Sequence, residues 1–127
     1  MKTIKDSYEN NFEINKSTFI AYSFPICDLE TFEKRLSEIK REHRKATHFC
    51  YAIILSSPQT EKAVDDGEPQ GTAGKPILQV LKKQQLINIA VVVVRYFGGV
   101  KLGRGGLLRA YVKSTAECLK KCEIKES

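Results

Sequence analysis

Residues 90–111 read AVVVVRYFGGVKLGRGGLLRAY. Four consecutive valines make an unbroken apolar run, as in a strand buried on both faces at the middle of a sheet. Ile87 to Tyr96 is therefore expected as a central strand. It empties through Arg95, Tyr96 and Phe97 into a loop whose glycines permit tight bends. Lys101 and Arg104 sit inside that loop, and a helix is expected to begin near Gly105 or Gly106. Leu107, Tyr111, Ser114, Thr115, Cys118 and Cys122 mark its inner stripe. A basic loop ahead of a helix N-terminus suits the binding of anions, phosphates above all.

The stretch upstream is DDGEPQGTAGKP, residues 65–76, with three glycines, two prolines and three acids in twelve residues. It reads as a loop. Pro76 falls in the first turn of a following helix, where its missing N–H costs nothing. Ile77, Leu78, Val80 and Leu81 supply that helix's buried face. Backbone amides of Gly71 to Gly74 could cradle a phosphate. The pattern is no P-loop, which would need Gly at Pro69 and Ser or Thr at Pro76. Asp65, Asp66 and Glu68 could hold Mg²⁺ beside a phosphate. The preferred reading is a turn in which Asp65 and Asp66 cap backbone amides and pair with nearby bases.

Nearer the start, Tyr8 to Ile26 carries aromatic and β-branched residues around Asn15-Lys16-Ser17, a hairpin pattern. Asp28 reads as the N-cap of an amphipathic helix with Leu29, Phe32, Leu36, Ile39 and His43 on one face. Thr47 to Leu55 reads as a buried strand, and Glu61 to Val64 as a short returning one. The order is β β α β (β) α β α. The expected fold class is α+β, a single mixed sheet with helices packed on it.

At 127 residues the chain is expected to be one domain, 1–127, large enough for a core without disulfides or metals. The net charge of +6 is uneven: residues 1–74 carry −2 and residues 75–127 carry +8. No acid lies between Glu68 and Glu117, where Lys75, Lys82, Lys83, Arg95, Lys101, Arg104, Arg109 and Lys113 all fall. One basic end suggests a polyanionic partner; the alternative is a solvated basic face. No apolar run is long enough to span a bilayer, and the polar N-terminus is no signal peptide. The expected location is the cytoplasm. Cys27, Cys50, Cys118 and Cys122 match no zinc spacing and are read as reduced, small apolar side chains.

DDGEPQGTAGKPIL (65–78) and VVVVRYFGGVKLGRGGLLRAY (91–111) closely resemble the signature of the YigZ/IMPACT family. KSTFIA (16–21) and ATHFCYA (46–52) resemble its two upstream motifs. The resemblance implies the fold of the fourth domain of elongation factor G and of GHMP kinases, with its left-handed βαβ crossover. It implies an association with translation. Eukaryotic IMPACT members bind the large activator of the amino-acid-starvation kinase and restrain that kinase. Bacterial members usually carry a second, ferredoxin-like domain after this one, expected here to be absent. The family often has a small residue or threonine where this chain has Arg104, which adds positive charge to the loop.

Three functions remain open. The leading one is a non-catalytic module binding RNA, or a ribosome-linked partner, through Lys75, Arg95, Lys101, Arg104, Arg109 and Lys113. The second is a protein-interaction domain of the IMPACT kind. The third is an enzyme on a phosphorylated small molecule, which requires the two loops to meet in a cleft. Asp65, Asp66, Glu68, Thr72, His48 and Tyr96 are candidate cleft residues. No cofactor, metal or catalytic residue is expected.

Overall fold

The computed structural model describes residues 1–126. Its elements are β1 (Lys2–Ile4), β2 (Tyr8–Ile14), β3 (Ser17–Pro25), α1 (Leu29–Glu42), β4 (His48–Ser56), β5 (Gln59–Val64), α2 (Gly74–Lys83), β6 (Ile89–Tyr96), α3 (Gly103–Lys120) and β7 (Ile124–Glu126). The main sheet has five strands in the order β2-β3-β6-β4-β5. The α+β class and single main sheet are as expected, but the sheet is not mixed. Every ladder in it is antiparallel. β3 and β4 run the same way, yet β6 lies between them and pairs with both, so the α1 connection crosses one strand and no parallel ladder forms.

β6 organises the packing by simple alternation. Ile89, Val91 and Val93 join side chains of α2 and α3, while Ala90, Val92 and Val94 join Phe32, Leu36 and Ile39 of α1. One helix therefore covers one face of the sheet and two cover the other. This two-sided burial is what the run of valines records.

Local chemistry sets the connections. Asn15 and Lys16 take φ of 46° and 67°, as the centre of a type I′ hairpin turn requires, and Ile14 pairs with Ser17. Asp28 Oδ1 accepts the Thr31 N–H at 2.7 Å and starts α1. α3 starts at Gly103, ahead of the glycines expected to open it. Leu102 and Leu107 both pack on the core and extend the helical period backward. β1 and β7 were not expected. They are three residues each, show no alternation, and pair with one another from opposite ends of the chain. Among the described residues no helix is long and apolar enough to cross a membrane.

α1 is held chiefly by Phe32, fully buried between the rings of Phe24 and Tyr51, with centroids at 6.3 and 4.8 Å. Phe32→Ala is expected to destabilise the fold by about 3–5 kcal/mol, the usual cost of truncating a buried phenylalanine. Urea unfolding at unchanged m-value is the measurement.

Candidate functional site

Strand parity places Arg95 on the face of Ile89, Val91 and Val93, towards α2 and α3. A guanidinium there needs a buried anion. Glu68, only 8% exposed, supplies it. Arg95 Nη1 donates to Glu68 Oε2 at 2.7 Å and to Oε1 at 3.0 Å, and Nη2 donates to Ser17 Oγ at 3.2 Å. Phe19 and Phe97 lie against the guanidinium, each with its centroid 5.4 Å from Cζ. Tyr111, from α3, donates to Glu68 Oε2 at 2.5 Å, and Cys50 Sγ lies 3.3 Å from the Tyr111 oxygen. Burial pushes both the Tyr111 phenol and the Cys50 thiol upward, so both act as neutral donors. His48 Nδ1 donates to the Asp66 carbonyl at 2.8 Å. A carbonyl only accepts, which fixes that proton. Nε2 then lies 3.5 Å from Glu68 Oε1, an ion pair whenever the ring is protonated.

The 65–73 loop is folded by its own carboxylates. Asp65 Oδ2 accepts the Gly71 N–H at 2.9 Å, and Oδ1 accepts those of Ala73 at 3.1 Å and Gly74 at 2.9 Å. The amides at the start of α2, a candidate phosphate cradle, thus already hold an anion from the same chain. Burial pushes the Asp65 carboxyl up, but these three N–H donors and nearby Arg104 outweigh it and hold it below the usual range. Asp66 Oδ2 accepts the Phe49 N–H at 2.7 Å. A Cβ at Gly74 would overlap the Val64 backbone, so α2 can approach β5 this closely only through glycine. The capping reading of Asp65 and Asp66 holds.

The two loops meet. Arg104 donates to the Gln70 carbonyl at 2.8 Å, and Thr47, just ahead of β4, ties the second loop to the sheet by accepting the Phe97 N–H at 3.0 Å. Between the loops lies a cleft of about 420 Å³. Arg95 and Glu68 lie at its base, with His48, Phe97, Lys101 and Arg104 around it. Lys101 and Arg104 are exposed and Phe97 is 46% exposed. The first turn of α3 contains no acid, and its N-cap, Leu102, makes no side-chain cap.

Other candidates lie elsewhere. Tyr96 has the opposite parity to Arg95 and donates or accepts at His43 Nδ1, 2.6 Å away on the α1 face. Thr72 is buried with its hydroxyl on the Pro69 carbonyl. Lys75 lines a groove between α2 and α3. Arg109 and Lys113 line a pocket against the β2–β3 hairpin, with the Lys113 ammonium 5.0 Å from the centroid of Phe12. The basic residues therefore line three different concavities. Ser17, Tyr111 and Cys50 escaped sequence reasoning as site residues. An arginine at inward parity after an apolar strand was the one signal that a buried polar network exists.

This arrangement rests on segments that recur in known proteins. The Impact N-terminal domain family matches residues 15–119. The chain belongs to that family. It is 46% identical over 118 residues to the IMPACT family member YvyE of Bacillus subtilis, covering 92% of this chain and 54% of that protein. It is 41% identical over 102 residues to the IMPACT family member YigZ of Escherichia coli, covering 78% and 50%. Rat Protein IMPACT is 32% identical over 94 residues, covering 69% and 29%. A solved structure described as that of a hypothetical protein superposes with a TM-score of 0.93 at 35% identity, over 98% of this chain and 62% of that one. The chain thus spans about half the length of the bacterial relatives it matches.

Glu68→Ala is expected to destabilise by about 3–5 kcal/mol, because it strands the Arg95 charge. Glu68→Leu with Arg95→Met removes both charges and should recover most of that loss in a denaturant titration. Asp65→Asn leaves one side-chain oxygen for three N–H donors and should cost about 1–2 kcal/mol at neutral pH, as for losing a hydrogen bond to a charged group. The Asp65 carboxyl titrates lower folded than unfolded, so its stabilisation is complete above about pH 4 and fades as pH falls through the folded value. The stability gap between wild type and Asp65→Asn should therefore close in acid.

Proposed function

We propose that this domain is a cytoplasmic, translation-associated binding module that takes single-stranded RNA at the cleft between residues 65–73 and 97–104. The supporting observation is the pairing of exposed Lys101 and Arg104 with half-exposed Phe97 at an uncapped helix start. Lysine and arginine hold phosphates, the free N–H groups of the first turn favour negative charge, and an aromatic ring offers a face for a base. Arg109 and Lys113, beside Phe12, continue basic and aromatic character along α3. Family membership supports the link to translation. Catalysis on a phosphorylated small molecule is less well served. Asp65 and Asp66 are turned to backbone amides and Glu68 to Arg95, leaving none of the three facing a common point with a free carboxylate.

Fluorescence anisotropy of a labelled single-stranded RNA across a salt series tests this. Log affinity should fall steeply with log salt, by roughly 0.7 for each phosphate contacted. Lys101→Glu with Arg104→Glu should weaken binding at least tenfold, by an estimate of two lost phosphate contacts, while the fold persists with a melt lowered by loss of the Arg104–Gln70 contact. A flat salt response, or unaltered affinity in the double variant, would overturn the reading.

A further inference from the structure

A wide concavity lies on α2 and α3, away from Phe97 and the buried ion pair. It has a volume of about 740 Å³. Leu78 and Val80 of α2 face Leu108 and Val112 of α3 across it, and Leu108 is 43% exposed. Lys75, Lys82 and Lys83 stand along α2, and no acidic residue lines the groove. Lys82 reaches out to Glu61 at 3.2 Å, while Lys75 and Lys83 have no carboxylate partner among the described residues. The groove is thus aliphatic at its floor and positively charged on the α2 side.

We infer that this groove docks an acidic amphipathic helix of another protein. The aliphatic floor takes leucine-like side chains by burial, and the lysines take the carboxylates that flank them. Lys75 and Lys83, which have no carboxylate partner among the described residues, are eight residues apart on one helix, about two turns or roughly 12 Å. Acids two turns apart on a docked helix match that spacing, with apolar residues between them at i+3 and i+4. Nucleic acid fits this surface poorly. The groove offers no aromatic ring for a base to stack on and no arginine fork for a phosphate, both of which the 65–104 cleft has. The two surfaces use different residues, so the docking site stands or falls independently of RNA binding.

A random dodecapeptide library displayed on phage and selected on the immobilised protein is the direct test. The proposal expects enriched peptides that carry leucine-like residues at i+3 and i+4 between acids two turns apart on the same helical face. Synthetic copies should bind at least tenfold more weakly to Leu108→Glu and to Lys75→Glu with Lys83→Glu. All three residues are exposed, so the thermal melts of these variants should match wild type. Binding to Lys101→Glu with Arg104→Glu should be unaltered. Enrichment of peptides without acids, failure of any peptide to enrich, or equal binding to the groove variants would overturn it. So would displacement of the peptides by single-stranded RNA.

Discussion

A carboxylate and a guanidinium enclosed together set the geometry of one end of this domain. Removing both charges from water is costly, and neighbouring donors and acceptors offset most of that cost here, although the buried Arg95 Nε has no partner among the described residues. Here Glu68 takes Arg95 and Tyr111 and faces His48, while Arg95 reaches Ser17. Those five residues come from the 65–73 loop, β6, α3, β4 and β3. The pair is therefore the point at which five segments agree on one position. Its worth lies in specifying that agreement more than in net stability. A loop otherwise rich in glycine is held against the sheet because one of its carboxylates has no alternative home.

β6 lets the two faces of the sheet take different duties. Its even residues and α1 build an apolar layer that closes on Tyr22, His43 and Tyr96. Both histidine nitrogens lie 2.6 Å from a phenol oxygen there, and burial foremost pushes the Tyr22 phenol up to about 12. Its odd residues lead to the polar network and on to the cleft. Gly98 then passes so close to Lys16 that a Cβ would overlap its backbone, which fastens the second loop to the hairpin.

Much of this was legible beforehand because it is local. Valine repetition declared a strand buried on both sides, Asn15-Lys16-Ser17 a hairpin turn, and Asp28 a helix start. The capping role of Asp65 and Asp66 followed from acids set just ahead of glycine-rich amides. What stayed hidden depends on parity and on distant partners. A single step along β6 separates Arg95, in the network, from Tyr96, on the opposite face, although the sequence offers both as candidates for one site. Antiparallel pairing throughout the sheet depends on β6 slipping between β3 and β4, which no local pattern announces. The pairing of β1 with β7 joins residues more than a hundred positions apart. The placing of the lysines and arginines along three different concavities likewise comes from helix rotation and packing, not from their density in the sequence.

The contact of Asp65 with the start of α2 gives the domain's two helix entrances opposite characters. At α2 the receptor comes already filled, by a tethered carboxylate whose local concentration is set by a few residues of chain. Free phosphate, nucleotide or a nucleic-acid backbone would have to displace a ligand that never diffuses away. At α3 nothing of the kind is built in. Two otherwise similar glycine-rich entrances therefore differ electrically, one neutralised by its own chain and the other without a carboxylate cap among the described residues.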